Sequence, residues 1–140
     1  MTSIPTTLHA AYAVTDYRVF AADAPFTLHI GAASAELAQL HGKHAVSCSA
    51  FLTAWNPFSH PVDADANHLA QQSLLRDLRD SGVRFLEGMG CDPSGAYAGE
   101  ESVLAIGLAR ADAMALGRKY RQNAIVWCGA DAVPELILLR

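Results

Sequence analysis

An α+β fold, with a mixed β-sheet and about three helices packed on it, is the architecture that this sequence predicts. Two short β-prone runs flank Ala22-Asp23-Ala24, and two more flank the turn residues of GADAVP near the C-terminus, which indicates a hairpin at each end. Between them, strand-like and helix-like segments alternate, which favours β-α-β crossovers. The predicted order is β-β-α-β-α-β-β-α-β-β in a single domain, with residues 1–16 as an N-terminal extension.

The strand predictions come from short apolar runs bounded by turn residues. Residues 49–55, SAFLTAW, are apolar at nearly every position, as in a strand covered on both faces, so we predict that they form the central strand. Asn56 and Pro57 end this strand because proline has no N–H for the ladder. The other predicted strands are 17–21, 25–30, 83–87, 102–106, 123–128 and 135–139, with a loop at 88–100.

The helix predictions come from capping residues and from apolar residues at helical spacing. Ser34 is a candidate N-cap, and Gly42 weakens or ends the helix that follows it. Either Asp63 or Asp65 caps a longer helix, after which Gly82 has the conformational freedom that a helix end requires. One predicted helix begins at Ser34, with Leu37, Leu40, His41 and His44 at helical spacing, and is weakened or ended at Gly42. The others run from Asp63 or Asp65 through Ser81 and from about Arg110 to Tyr120.

One hydrophobic core is predicted, since 140 residues are enough to bury roughly two-thirds of the unfolded surface. Three cysteines lie far apart without a CxxC pair, and we interpret them as reduced and buried. They are Cys48, Cys91 and Cys128. The predicted core residues are Phe51, Leu52, Ala54, Phe85, Leu104, Ile106, Leu116, Ile125 and Val126.

Composition and charge argue against several classes of protein. No apolar run approaches the ~18 residues of a membrane helix, and no Lys or Arg precedes Arg18 in a signal-like segment. We therefore expect a cytoplasmic protein without a membrane partner. The net charge of −4 gives no general attraction to nucleic acid. The basic residues Arg110, Arg118, Lys119 and Arg121 lie on or just past one predicted helix, where cations offset its dipole.

No established catalytic or metal-binding motif is present: the sequence has no GxxxxGK[ST], GxGxxG, HExxH, GxSxG or paired CxxC. His41 and His44 have the i, i+3 spacing that could place two imidazoles on one helical face. No third ligand is near them in sequence, so we predict neither a structural metal nor a cofactor. His60 is a candidate acid or base because imidazole titrates near neutral pH.

Polar pairs interrupt the apolar pattern at the ends of three predicted strands. These pairs are Trp55-Asn56, Glu100-Glu101 and Gln122-Asn123. Loops at strand ends often gather into a ligand cleft, so we predict that Asn56, Glu101 and Gln122 converge on one concave site. The alternative is structural: Asn56 caps a turn, the two glutamates are solvated, and Gln122 bonds to loop backbone.

Three segments, FLTAWNPFS, GMGCDPSG followed by EES, and ALGRKYRQNAIVW, together resemble a bacterial family known as domain of unknown function 3293. The resemblance runs from about Tyr17 to the C-terminus, and it implies no activity or catalytic residue. This chain has Tyr120-Arg121-Gln122 where the family often has an aromatic-Gly-Gln turn. The matching positions are 53–57, Gly90, Asp92, Gly95, 100–102, Gln122, Asn123, Ala124 and Trp127.

The leading functional hypothesis is a binding module for a small molecule or peptide. Its predicted ligand-binding residues are Trp55, Asn56, Glu101, Gln122 and Asn123, whose amides and indole offer donors, acceptors and a stacking face.

Two alternatives remain open. One is a metal-independent hydrolase or transferase in which Glu100 or Glu101 acts as general base, while Asn56 and Gln122 polarise the substrate. The other is a structural subunit that forms a homodimer through the exposed last strand.

Overall fold

The computed structural model describes residues 6–95 and 99–140, which form helices on both faces of a seven-stranded sheet. The helices are α1 (Thr6–Val14), α2 (Ala35–His44), α3 (Ala64–Asp80) and α4 (Arg110–Lys119), and a short 3-10 helix covers Pro57–Ser59. The strands are β1 (Asp16–Val19), β2 (Phe26–Leu28), β3 (Ser49–Leu52), β4 (Arg84–Cys91), β5 (Glu100–Ile106), β6 (Ala124–Cys128) and β7 (Pro134–Leu138).

The predicted α+β class and the seven predicted strands are confirmed. Strand β3 is an interior strand buried along its whole length, as expected, but β5 and not β3 holds the middle position of the sheet. The strand order is β2-β1-β4-β5-β3-β6-β7, and every neighbouring pair described is antiparallel. The expected mixture of parallel and antiparallel pairs is therefore absent from the described strands. The reason is that each crossover skips one strand: α3 links β3 to β4 with β5 between them, and α4 links β5 to β6 with β3 between them.

The segment from β3 to β6 has the β-α-β-β-α-β connectivity of the ferredoxin-like motif. The β1–β2 hairpin extends this four-stranded unit beyond β4, and β7 extends it beyond β6. Helix α3 packs on β4 and β5, and α4 packs on β3 and β6. The ends of β3, β5 and β6 are consequently fixed next to one another in the middle of the sheet.

The sheet separates two hydrophobic cores, where the sequence predicted one. Side chains alternate between the faces of a strand, so Leu52 packs with α3 and α4 on one face while Phe51 packs with α2 residue Leu37 on the other. Seven of the nine predicted core residues are buried; Phe85 and Leu116 are partly buried against the α3–α4 core. Of the cysteines, Cys128 is buried as predicted, whereas Cys48 and Cys91 are half-buried.

The local helix signals act largely as predicted. Ser34 Oγ accepts from Leu37 N–H at 3.1 Å, and Asp63 rather than Asp65 caps α3, with Oδ1 2.8 Å from Ala66 N. Gly82 follows α3 at φ +73°.

Helix α2 continues past Gly42, so this glycine does not end it, and the helix ends at His44. Buried His41 explains the extension, because its Nε2 lies 2.8 Å from Ser49 Oγ on β3 and so attaches the last turn to the sheet. Ala45 then ends the helix in the left-handed conformation at φ 54°.

Strand β3 ends at Leu52, three residues earlier than predicted. Beyond Leu52, hydrogen bonds that involve side chains take the place of pairing with the neighbouring strands. Thr53 Oγ1 donates to the Glu101 carbonyl at 2.6 Å and accepts from Trp55 N–H at 3.1 Å. Gln71 Oε1, on α3, accepts from Ala54 N–H at 2.9 Å. These bonds turn the chain away from the sheet before Asn56.

Two further segments differ from the predictions. The N-terminal extension contains α1, and the predicted loop 88–100 is shorter because β4 continues to Cys91 and β5 begins at Glu100. Cross-strand pairing supports this extension, since Met89 faces Glu101 and Gly90 faces Glu100. No helix in the described part of the chain is long and apolar enough to cross a membrane.

We expect Phe51→Ala to lower the free energy of unfolding by about 3–5 kcal/mol, as for other buried aromatic truncations. Phe51 is 4% exposed, and its ring packs edge-to-face on Tyr17 with the two ring centroids 5.3 Å apart. Urea unfolding measures the change. Leu69→Ala, at a position 70% exposed on α3, is the control and should stay within about 0.5 kcal/mol. An unchanged midpoint for Phe51→Ala would contradict the assigned core.

Candidate binding site at one end of the sheet

The three polar pairs predicted from sequence lie at the same end of the sheet. Trp55 and Asn56 follow β3, Glu100 and Glu101 begin β5, and the Gln122 pair precedes β6. Because β3 runs antiparallel to both β5 and β6, the end of β3 lies beside the beginnings of its two neighbours. The strand order therefore brings the three pairs to one end of the sheet, but of Asn56, Glu101 and Gln122 only Glu101 lines the groove found there.

Asn56 is the most extensively bonded member of this group. It adopts a left-handed conformation, φ 47°, which asparagine tolerates better than most residues. Its Nδ2 donates to Glu100 Oε1 at 3.1 Å, and its Oδ1 accepts from Val62 N–H and Asn67 Nδ2 at 3.2 and 2.9 Å. Its own N–H donates to Asn67 Oδ1 at 2.8 Å. The two asparagines therefore bond reciprocally and fix the turn after β3.

The loop 56–59 contains further left-handed residues, Phe58 at φ 53° and Ser59 at φ 62°. Such conformations cost on the order of 1 kcal/mol each for non-glycine residues and persist where surrounding contacts impose them. Here the Phe58 N–H donates to the Arg121 carbonyl at 2.6 Å, and the Arg140 guanidinium lies 4.2 Å from the Phe58 ring centroid. The loop is therefore held from the β6 side as well as from α3.

Gln122 and Asn123 supply that second attachment. Gln122 Nε2 donates to the carbonyls of Trp55 and Tyr120 at 3.0 and 3.2 Å. Asn123 Nδ2 donates to Ser59 Oγ at 2.9 Å, and its Oδ1 accepts from the Arg140 guanidinium at 2.7 Å. The bonds of Gln122 agree with the structural alternative for this residue, because its side-chain amide donates to backbone carbonyls of the loops.

Glu100 and Glu101 point to opposite faces of the sheet, because consecutive residues of a strand alternate. Asn56 contacts Glu100, whereas the sequence grouped Asn56 with Glu101 in one concave site. Burial raises the pKa of the Glu100 carboxyl, and the hydrogen bond from Asn56 partly opposes this effect. Glu101 lies on the α3 face, where its Oε1 is 3.1 Å from His68 Nδ1 and its side chain is 38% exposed.

A groove of about 160 Å³ opens beside Glu101 on the β4 and β5 strands and the neighbouring part of α3. Glu101 is the one predicted ligand-binding residue among those that line it. A second, larger and more open depression of about 840 Å³ lies by the β6–β7 turn, around Trp127 and Asp131, away from the predicted residues. The lining of the first groove comprises Phe20, Gln71, Leu75, Glu87, Gly88, Met89, Glu101 and Ser102.

The remaining sequence candidates have separate surroundings. Trp55 Nε1 is buried without a hydrogen-bond partner among the described residues. His60 is exposed where the 3-10 helix ends. His44 Nδ1 lies 3.1 Å from Arg84 Nη1, and His41 is bonded to Ser49, so the two histidines have different partners. Within residues 6–95 and 99–140, no three His, Cys, Asp or Glu side chains group as metal ligands.

Sequence reasoning missed Asn67 and Gln71, which are both 2% exposed on the inner face of α3. Their spacing contained a signal: they continue, at i, i+4, the stripe of Leu74, Leu75 and Leu78. Amides on the apolar face of a helix require buried partners. That pattern could have indicated polar contacts between α3 and the strand ends.

The chain belongs to the family described as protein of unknown function (DUF3293), whose model matches residues 52–125, more than half of the 140 residues. The matched segment contains every predicted ligand-binding residue and every candidate general acid or base, but it is narrower than the resemblance, which runs from about Tyr17 to the C-terminus. No curated protein and no solved structure matches the chain.

We expect Asn56→Ala to lower the free energy of unfolding by about 2–4 kcal/mol, because alanine disfavours the left-handed conformation and the buried Asn67 amide loses its partner. Asn56→Gly removes the same hydrogen bonds but tolerates positive φ, so it should be about 1 kcal/mol less destabilising than the alanine variant. Urea unfolding of both variants measures the difference. Equal losses would show that backbone strain at Asn56 is negligible.

We expect wild-type stability, relative to Glu100→Gln, to decline as pH rises. The folded-state pKa of Glu100 is raised, so the unfolded chain releases its proton first, near the ordinary pKa of about 4.3. Between that pH and the folded pKa, ionisation favours unfolding, and above the folded pKa the loss is complete. Unfolding midpoints from pH 3.5 to pH 8 test this; parallel curves for the two proteins would contradict it.

Proposed function

We propose that this protein is a binding module whose groove beside Glu101 receives the side chain of a peptide or a small molecule of similar shape. The observation that carries the proposal is the position of Glu101. It lines a groove of about 160 Å³ and retains 38% side-chain exposure. The amides of Asn56 and Gln122 bond within the protein, and Glu101 also has an internal contact, from Oε1 to His68 Nδ1 at 3.1 Å. Glu101 differs from the two amides in that it lines the groove.

The groove combines apolar walls with two carboxylates. Phe20 and Met89 provide apolar surface, and Leu75 adds the contact from α3. Glu87 and Glu101 are on the same face of neighbouring strands, since Met89 pairs with Glu101. Such diagonal neighbours have Cβ atoms about 7–8 Å apart. An alkyl stem that ends in a cationic group, as in lysine or arginine, fits this chemistry.

A hydrolase or transferase that uses Glu100 as general base is the second candidate, because burial raises the pKa of this carboxyl. The binding module fits the geometry better, since the groove and the buried carboxyl are on opposite faces of β5.

Assembly through β7 is the third candidate, because β7 is the last strand of the sheet. Gly31 N–H donates to the Pro134 carbonyl at 2.9 Å, so the loop after β2 covers the beginning of that edge. The part of β7 that remains for a homodimer contact is correspondingly shorter than the strand.

We expect Nα-acetyl-lysine methylamide or Nα-acetyl-arginine methylamide to bind in the groove, and the neutral norleucine analogue to bind more weakly. Glu101→Gln should raise the dissociation constant about tenfold, the effect of one charge-assisted hydrogen bond. Titration calorimetry or NMR measures binding. Glu36→Gln, at an exposed carboxylate on α2, is the matched control and should bind as the wild type does. Equal binding of the neutral analogue, or no effect of Glu101→Gln, would overturn the proposal.

A further inference from the structure

Arg18 lies in one cross-strand row with Met89 and Glu101, two residues that line the groove. Arg18 pairs with Met89 across β1 and β4, and Met89 pairs with Glu101 across β4 and β5. Directly opposite residues of antiparallel strands project from the same face, and each step separates their Cβ atoms by about 4.5–5.5 Å. The row therefore has a cation at one end and a carboxylate at the other.

The backbone of β1 also brings Arg18 to the groove. Gly88 belongs to the groove lining, and a Cβ built on Gly88 would overlap the Arg18 carbonyl oxygen, so this glycine allows β1 to approach β4 closely. Phe20 continues the pairing of β1, because its N–H donates to the Glu87 carbonyl at 2.9 Å, and its side chain lines the groove. Side chains alternate along a strand, so Arg18 and Phe20 share a face. Arg18 thus stands beside the groove on its β1 side.

The Arg18 side chain is exposed, and none of the ion pairs in the described part of the chain includes it. Asp16, the acidic residue on the same face of β1, has its Oδ1 2.9 Å from His29 Nε2. A guanidinium presents its N–H donors in a planar fork that matches a carboxylate. Arg18 can therefore bind an anionic group of a ligand that lies in the groove.

We infer that the groove prefers a lysine or arginine residue at the C-terminus of a peptide, whose α-carboxylate binds to Arg18. This inference rests on the proposed function, in which the side chain of the same ligand residue ends at Glu87 and Glu101. The two steps of the row separate Arg18 from Glu101 by about 10 Å at Cβ. That span is comparable to the length of a lysine from its α-carboxylate to its ammonium group.

Charge explains why a terminal residue fits better than an internal one. An internal residue presents a neutral amide to Arg18, whereas a C-terminal residue presents a carboxylate that the guanidinium can bind through two hydrogen bonds. The cation of the ligand then faces the two glutamates, and its anion faces Arg18. Both signs of charge around the groove are thereby matched.

Two ligands that differ only in the α-carboxylate test this inference by titration calorimetry. Nα-acetyl-lysine has a free carboxylate, and in Nα-acetyl-lysine methylamide this group is blocked. We expect the wild type to bind the free carboxylate about fivefold more tightly, the upper range for an ion pair at an exposed position. Arg18→Gln should remove the preference by weakening only the binding of Nα-acetyl-lysine.

Arg118→Gln, at an exposed arginine on α4, is the matched control and should retain the preference. Unfolding midpoints verify that both variants fold. Equal binding of the two ligands by the wild type would overturn this inference and leave the proposed function standing, whereas binding of neither ligand would overturn both. Equal weakening of both ligands by Arg18→Gln would show that Arg18 does not bind the carboxylate, and would also refute the inference.

Free L-lysine distinguishes a peptide terminus from an amino acid. Its α-carboxylate is the same, but its α-ammonium group lies next to that carboxylate and so would be repelled by Arg18. We expect L-lysine to bind more weakly than Nα-acetyl-lysine. Tighter binding of L-lysine would assign the groove to a free amino acid and contradict the assignment to a peptide.

Discussion

Reciprocal hydrogen bonding between Asn56 and Asn67 fixes the chain where β3 leaves the sheet, and the candidate site depends on this attachment. The amide of Asn56 then reaches Glu100, so the helix α3, the loop 56–59 and strand β5 are connected through one side chain. The left-handed conformation is unfavourable for non-glycine residues, so without these contacts the loop would adopt other conformations. The attachment from α3 and the hydrogen bond from Asn123 to Ser59 hold the loop at both ends.

The alternation of side chains along β5 divides this end of the sheet into two chemical environments. Glu101 lies beside α3 in an open groove, whereas Glu100 lies beside Asn56 in more enclosed surroundings. The same alternation along β3 separates Phe51 from Leu52 and so produces two hydrophobic cores. One structural rule thus explains both the two cores and the different properties of adjacent glutamates.

The segment that matches the family model supplies most of this site but not all of it. Residues 52–125 contain the loop after β3, both glutamates and Gln122. Tyr12 and Tyr17 precede that segment and reach the Glu100 side of the sheet through α1 and β1. Arg140 follows it and contacts both Phe58 and Asn123. The ferredoxin-like unit therefore carries the carboxylates, while the flanking elements complete their surroundings.

The sequence by itself determined the α+β class, the caps at Ser34 and Asp63, and the position of polar residues at strand ends, because these features depend on neighbours a few residues apart. The tertiary structure decided that β3 lies between β5 and β6, since pairing partners distant in sequence compete for the same backbone groups. That strand order brings Asn56 to Glu100, and the strand's alternation turns Glu101 to the other face. The packing of α3 on the sheet also decided the hydrogen-bond partners of the buried amides Asn67 and Gln71. These partners lie on segments that are distant in sequence, so the helix pattern alone does not identify them.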